Sequence, residues 1–151
     1  IRDYTLNKQK QVDDYPYGGG HGAVMQADPL YQCWKHITDA YGPGHTIYLS
    51  PAGKTFTQCE AKRLLRDYEH LILVCGHYEG IDERFIEACV DEELSIGDFV
   101  LTGGELPAMV VAVLDDGFAG FRIVTDCVAA LPSSILALSD IAFSVCSSFW
   151  H

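Results

Sequence analysis

Basic residues are scarce in this sequence, which has 10 Lys and Arg against 21 Asp and Glu in 151 residues. The formal net charge of -11 at pH 7 disfavours broad attraction to a phosphate backbone, because non-specific nucleic-acid affinity comes from Lys and Arg that displace condensed counterions. Charge alone therefore favours a small-molecule site. Most basic residues lie upstream of a crowded acidic stretch at 79–105, so any nucleic-acid surface is expected upstream.

Two kinds of cysteine site are also missing. None of the six cysteines forms a CxxC pair or stands near a His at the spacing of zinc ligands, so no metal site is predicted. We interpret them as reduced core thiols of a cytoplasmic protein, in preference to a disulfide framework. No charged leader with an apolar segment follows Ile1, so secretion is not indicated and the chain is expected to begin within a longer protein. The six are Cys33, Cys59, Cys75, Cys89, Cys127 and Cys146.

Charged residues almost disappear after Gly117, where Ser, Ala and Val dominate. The stretch 128–150 is apolar enough to suggest a membrane span, but Pro132, Asp140 and repeated serines disfavour that interpretation. We therefore expect no membrane segment. Residues 117–151 are interpreted as a divergent tail that arises from a shifted reading frame or a false join.

Hydrophobic residues make up 48% of the chain, which is enough for one packed domain. Predicted strands and helices alternate along it, a pattern typical of an α/β fold with a parallel sheet. The fully apolar run Leu71–Cys75 predicts a strand buried on both faces of that sheet. Residues 1–22 are expected to be irregular. The other predicted elements are helices at 28–41, capped by Asp28 with Pro29 at its first position, at 57–68 and at 81–89, and strands at 46–50 and 99–101.

Polar and glycine residues collect where the predicted strands end, at 50–51, 76–80 and 103–105. Ligands of open α/β sheets bind at this carboxyl edge. Glycines there allow close backbone approach, and exposed amides can hydrogen-bond a ligand without help from side chains. The alternative is that each glycine only makes a tight turn.

Two long motifs distinguish these alternatives, CGHYEGIDER at 75–84 and SIGDFVLTGGELPAM at 95–109. Nearly letter for letter, they resemble the two signatures of the bacterial tRNA (guanine-N1)-methyltransferases. The resemblance extends back through 2–5, 12–20 and 47–51, and covers about residues 1–114. It implies a SPOUT-type α/β fold with a deep trefoil knot in the C-terminal half, and S-adenosylmethionine as cofactor. It also implies a homodimer that methylates N1 of the guanine just 3′ of the anticodon in tRNA.

The resemblance also implies a division of the chain. Residues 1–116 correspond to the cofactor-binding domain without its N-terminal strand and helix, and 117–151 are a divergent, unassigned tail. Three loops are implied to wrap the cofactor largely through backbone, with Tyr48 and Pro51 beside the adenine or, alternatively, as plain strand-end core residues. The implied cofactor-binding residues are Tyr48, Leu49, Ser50, Pro51, Gly76, Tyr78, Glu79, Gly80, Ile96, Gly97, Asp98, Phe99, Val100, Leu101, Gly103, Gly104 and Pro107.

Glu79 is a candidate contributor to catalysis, because a carboxylate beside a sulfonium attracts the cation and steers the target base. The alternative is a solvated loop glutamate. His21 and His77 are possible bases, but we favour a structural or solvent-facing role for each. The acidic residues that follow, from Asp82 to Glu93, are expected to form a solvated, partly helix-capping face with Arg84 as an ion-pair partner.

No catalytic residue is assigned. The Asp and Arg that the family is thought to use for proton removal and charge stabilisation lie just after the second motif. This sequence leaves the family pattern at 113–116, and the surroundings of Arg122 and Asp126 do not match. The alternative to an enzyme is therefore a non-catalytic module that binds S-adenosylmethionine and dimerises.

Overall fold

The computed structural model describes residues 1–16, 22–77, 79–113 and 121–124. His21, Tyr78, Cys127, Cys146 and the apolar stretch 128–150 lie outside the described residues. In the part that is described, no helix is both long and apolar enough to cross a bilayer. The helices are α1 Ala27–Tyr41, α2 Gln58–Asp67, α3 Glu83–Cys89 and α4 Glu105–Val113, and the strands are β1 Asp13–Asp14, β2 Val24–Met25, β3 His45–Thr55, β4 Leu71–Cys75, β5 Glu92–Ser95 and β6 Phe121–Val124.

The main sheet has the strand order β5-β3-β4-β6, and all its neighbouring strands are parallel. This confirms the predicted α/β fold with a parallel sheet. Strand β4 is buried at every position, as its apolar run predicts. Strand β6 lies beside β4, inside the segment that was left unassigned as a tail.

Alternating side chains of β3 and β4 pack into two separate hydrophobic cores, one on each face of the sheet. On one face, Tyr48, Ile72 and Val74 pack with residues of α1 and α3. On the other, neighbours such as Leu49 and Leu73 pack with α2 and α4. Helices thus cover both faces, and the carboxyl edge of the sheet is where polar groups collect.

The predicted strand at 99–101 is wrong. The strand in this region is β5, Glu92–Ser95, and Phe99 and Val100 are exposed residues of a loop. Strand β5 forms because its backbone pairs in parallel with Ile47–Leu49 of β3. The sequence did not predict this strand because it begins with two acidic residues, and charged residues are depleted in strands.

The acidic start of β5 is stabilised by an ion cluster rather than by solvent. Arg63 of α2 donates to both carboxylate oxygens of Glu92 at 2.8 and 2.7 Å and to Glu60 at 2.9 Å. His45 lies 2.7 Å from Glu92. The hydrogen bonds to the two glutamates raise the pKa of Arg63, while the hydrogen bonds from Lys54 and Arg63 lower the pKa of Glu60. The prediction of a solvated acidic face is therefore wrong for Glu92.

Most helix boundaries agree with the prediction to within two residues. Asp28 does not cap α1, because the helix begins one residue earlier and Gln26 occupies the cap position. Asp82 does cap α3, where its side chain accepts from the Arg84 amide. Residues 1–22 are not wholly irregular, since Arg2–Tyr4 form a 3-10 turn and β1 pairs with β2.

The predicted burial of the cysteines holds for three of the four in the described ranges. Cys33, Cys75 and Cys89 are buried. Burial raises the pKa of the Cys75 and Cys89 thiols above the usual range. Cys59 is exposed on α2, so its assignment to the core is wrong.

Candidate functional site

A cleft of about 180 Å³ lies at the carboxyl edge of the sheet. Three segments line it: the end of β3, the turn after β4, and the connection from β5 to α4. All the predicted cofactor residues in the described ranges contribute to the lining except Gly97 and Asp98. Tyr78 lies outside those ranges. The structure thus gathers residues that are more than 50 positions apart in sequence, from Tyr48 to Pro107.

Gly97 and Asp98 stay outside the lining because of how the third segment is held at its start. The Ser95 hydroxyl donates to the Gly97 carbonyl at 2.9 Å and accepts from the Gly97 amide at 3.3 Å. The Phe99 ring then packs on Gly97, so Phe99 forms the wall at this point. Ser95, the first residue of the second motif, also lines the cleft, although it was not among the predicted cofactor residues.

Backbone closes the cleft between the second and third segments. The Gly104 amide donates to the Gly76 carbonyl at 3.0 Å, and Gly103 forms a bridge with His77. A Cβ atom at Gly104 would lie 2.6 Å from Cys75 Cα, a distance that requires the backbone to shift. The close backbone approach predicted for these glycines is therefore present.

Tyr48 forms one wall and also belongs to the core. It is 8% exposed and packs in the same cluster as Phe85 and Val74. Burial, followed by the negative charges of Glu93 and Glu83, raises the pKa of Tyr48 to about 12, against a smaller opposite effect of a hydrogen bond with the Ile81 backbone. The phenol is thus neutral at physiological pH. Its burial confirms the interpretation as a strand-end core residue, and contact with adenine stays a prediction.

The raised pKa of Tyr48 makes a testable prediction for alkaline titration. A tyrosine whose pKa is higher in the folded state contributes stability that is complete below pH 10.0 and is lost as pH rises towards about 12. The difference in tyrosinate absorbance between the wild type and Tyr48→Phe is expected to titrate near pH 12. A difference curve centred at pH 10.0, the ordinary tyrosine value, would contradict the burial of this hydroxyl.

The turn after β4 is anchored to the strand pair formed by β1 and β2. The Glu79 amide donates to the Ala23 carbonyl at 3.0 Å, and the Met25 amide donates to the Gly80 carbonyl at 3.1 Å. The Glu79 side chain is exposed and lines the cleft. Its charge is therefore available to a cationic ligand at the mouth, while water also reaches it.

His77 lines the cleft although it was not among the predicted cofactor residues, and its side-chain contact agrees with the structural role favoured from the sequence. Its Nε2 atom bonds Oε1 of Glu105 in the first turn of α4. The two side chains are 26% and 22% exposed. A signal was present, since each residue directly follows a glycine-bearing strand end or loop in one of the two motifs. Leu94 and Thr102 also line the cleft without having been predicted.

Comparison with known proteins supports a single family. The family model described as tRNA (Guanine-1)-methyltransferase TrmD matches residues 1–121. A tRNA (guanine-N(1)-)-methyltransferase of Alkaliphilus metalliredigens is 58% identical over 114 residues, which are 74% of this chain and 46% of that protein. The corresponding protein of Ruminiclostridium cellulolyticum is 59% identical over 112 residues, which are 74% of this chain and 48% of its own length.

A solved structure gives the same result. The crystal structure of tRNA (m1G37) methyltransferase from Aquifex aeolicus superposes with a TM-score of 0.67 at 36% identity, and the match covers 76% of this chain and 50% of that one. The chain spans about half the length of the curated relatives that it matches. These matches confirm the resemblance drawn from the two motifs, and the chain belongs to the tRNA (Guanine-1)-methyltransferase TrmD family.

Proposed function

We propose that the cleft binds S-adenosylmethionine, and that this chain is the cofactor-binding part of an enzyme that methylates N1 of the guanine next to the tRNA anticodon. One observation carries the proposal: the carboxyl ends of β3 and β4 and the loop after β5 line a single cleft. Membership of the methyltransferase family supports the reaction. Similarity to the tRNA (m1G37) methyltransferase of Aquifex aeolicus supports tRNA as the substrate.

The residues of the cleft fit a nucleoside that carries a sulfonium ion. Tyr48 offers a flat apolar wall for adenine, and the backbone around Gly76 and Gly104 brings polar groups close to a ligand. Glu79 places a negative charge at the mouth, where it attracts a cation. The cleft holds about 180 Å³, less than the roughly 300–1,000 Å³ of sites that enclose a whole ligand. We therefore expect part of the cofactor to extend beyond the mouth.

The chemistry requires more than this cleft supplies. Methylation of guanine N1 needs a base for the N1 proton and a donor near O6, where charge develops. Bound S-adenosylmethionine would supply the methyl group, and Glu79, an exposed carboxylate that lines the cleft, is our candidate to steer the base. We assign no proton acceptor, because the family's Asp and Arg correspond to the region where this sequence departs from the pattern.

We also propose a SPOUT-type trefoil knot, a homodimer and a cytoplasmic location. The passage of the segment 96–104 from the edge strand β5 across the ends of β3 and β4 supports the knot. Exposed apolar side chains beside the cleft, Val100 and Leu106 among them, support a covered surface between two copies. The burial of the Cys75 and Cys89 thiols supports a reducing compartment.

Calorimetry with S-adenosylhomocysteine tests the cofactor site. We expect saturable heat with a dissociation constant in the micromolar range, as is usual for a small-molecule site of moderate size. Adenosine alone serves as a matched ligand that lacks the amino-acid part, and we expect it to bind more weakly. If no heat is released at about 1 mM ligand, the cleft does not hold this cofactor.

Methyl transfer from labelled S-adenosylmethionine to unmodified tRNA separates an enzyme from a non-catalytic binding module. Label in guanine N1 is expected if this chain carries its own catalytic groups. A tRNA with another base at the target position is the matched control. Cofactor binding without any label in the tRNA would support the module and exclude turnover by this chain.

A further inference from the structure

The contact between His77 and Glu105 joins two segments of the cleft that are 28 residues apart in sequence. His77 lies in the turn after β4, and Glu105 begins α4. The bonded atoms are His77 Nε2 and Glu105 Oε1. Both side chains are largely covered, at 26% and 22% exposure, so water competes only partly for their hydrogen-bonding groups.

Gly103 lies directly beneath this pair. A Cβ atom at Gly103 would overlap Glu105 Oε2 and stand 2.8 Å from His77 Cε1. The same glycine forms the backbone bridge with His77, and the next residue, Gly104, donates to the Gly76 carbonyl. The two side chains therefore close over the point where the third segment meets the end of β4.

Among the described residues, few other contacts fix the conformation of the middle of the third segment. Phe99 is 53% exposed and Val100 is 81% exposed, so their burial contributes little to the conformation of this loop. At its start, the loop is held by the Ser95 hydroxyl. At its end, it is held by the backbone contacts of Gly103 and Gly104 and by the side-chain pair above them.

We propose that His77 is a positioning residue, whose imidazole is oriented by Glu105 and fixes Gly103 and Gly104 at the spacing that the cleft requires for its ligand. His77 acts through the glycine backbone and needs no contact with the reacting atoms. The effect on ligand affinity rests on the proposed function, because S-adenosylhomocysteine is the probe. The effect on the backbone is independent of it.

Two conservative variants provide a matched test, because they imitate different nitrogens of the imidazole. Glutamine carries its amide nitrogen near the position of Nε2, which bonds Glu105, whereas asparagine carries it near Nδ1. We expect His77→Gln to keep S-adenosylhomocysteine affinity within about threefold of wild type. We expect His77→Asn to weaken it about tenfold, the size of one lost hydrogen bond to a charged group. A purely space-filling role predicts similar losses for both.

A double-mutant cycle then assigns the effect to the pair. Glu105→Ala removes the acceptor, so adding His77→Asn to it is expected to weaken binding by less than twofold more. The proposal would be overturned if the affinity loss of the double variant equalled the product of the two single losses. It would also be overturned if His77→Gln and His77→Asn lost equal affinity. Thermal unfolding of each variant identifies any that fails to fold. If His77→Asn fails to fold, the comparison of Glu105→Ala with His77→Gln still tests the proposal.

Amide hydrogen exchange gives a readout that needs no ligand. The Gly104 amide, which donates to Gly76, is expected to exchange about tenfold faster in His77→Asn than in His77→Gln. Equal exchange in the two variants would overturn the positioning role. A failure of wild-type protein to bind S-adenosylhomocysteine, with the exchange difference present, would instead contradict the proposed function and leave the role of His77 intact.

Discussion

Gly103→Val is expected to abolish measurable binding of S-adenosylhomocysteine. The first carbon of the new side chain would overlap the Glu105 carboxylate and lie 2.8 Å from the His77 ring, and the two γ-methyl groups would need further room. The third segment must then move away from the end of β4, and the backbone wall of the cleft moves with it. Calorimetry at about 1 mM ligand measures the loss, which we expect to exceed a hundredfold.

Gly103→Ala is the graded control for this prediction. Its single methyl group displaces the flexible end of Glu105 and disturbs the pair with His77, so we expect an intermediate loss of about tenfold. Unfolding curves must confirm that both variants fold. If Gly103→Val binds as tightly as wild type, the ligand does not lie in this cleft.

Phe85→Ala is expected to have the largest effect on stability among single core changes. Phe85 is 1% exposed on α3 and packs in the core cluster that contains Tyr48 and Val74. Truncation of a buried Phe to Ala costs about 3–5 kcal/mol, since it removes buried apolar surface and leaves a cavity. This is a large part of the roughly 5–15 kcal/mol that stabilises a typical domain. Urea unfolding monitored by circular dichroism measures the change.

Phe85→Leu is the matched control, because it keeps most of the side-chain volume. We expect it to cost about 1–1.5 kcal/mol. If Phe85→Ala costs no more than Phe85→Leu, α3 does not pack on the sheet as described. The same variants report on the site, since a displaced α3 removes support from the Tyr48 wall.

The main elements of the fold were predictable because local pattern and tertiary position agree there. The run Leu71–Cys75 is apolar throughout, and β4 lies at the interior of the sheet, where both faces are covered. Helix α1 ends at Tyr41 and is followed by the cap residue Gly42, whose φ of 90° few other residues adopt. At these positions, the residue types that favour the local helix or strand are also those that suit its position in the fold.

Strand β5 was missed because its stabilising partners are distant in sequence. Glu92 suits a strand only once the Arg63 guanidinium pairs with it and His45 lies in hydrogen-bond contact, and neither partner is visible in a local window. The exposed run Phe99 to Leu101 was wrongly predicted as a strand because it contains β-branched and aromatic residues. These residues line a cleft and do not pack in a core. Strand propensity is a property of a single residue, whereas a strand forms only where its backbone pairs with a neighbouring strand.

The candidate site was predictable as a set of loops, although its geometry was not. Glycines and polar residues at three strand ends indicated the carboxyl edge, and the family motifs supplied most of the lining. The role of His77 depends on Glu105, which belongs to the other motif. Only the folded chain shows that the two side chains meet over Gly103.

The order of the segments along the chain ties ligand capture to the progress of synthesis. A nascent polypeptide that has emerged only as far as Ser95 contains β3, β4 and β5 but lacks Gly103, Gly104 and Pro107, so one side of the recess does not yet exist. Ligand that binds only the finished arrangement stabilises it by mass action. A ligand of this cleft would therefore stabilise the chain only once residues 103–107 are in place.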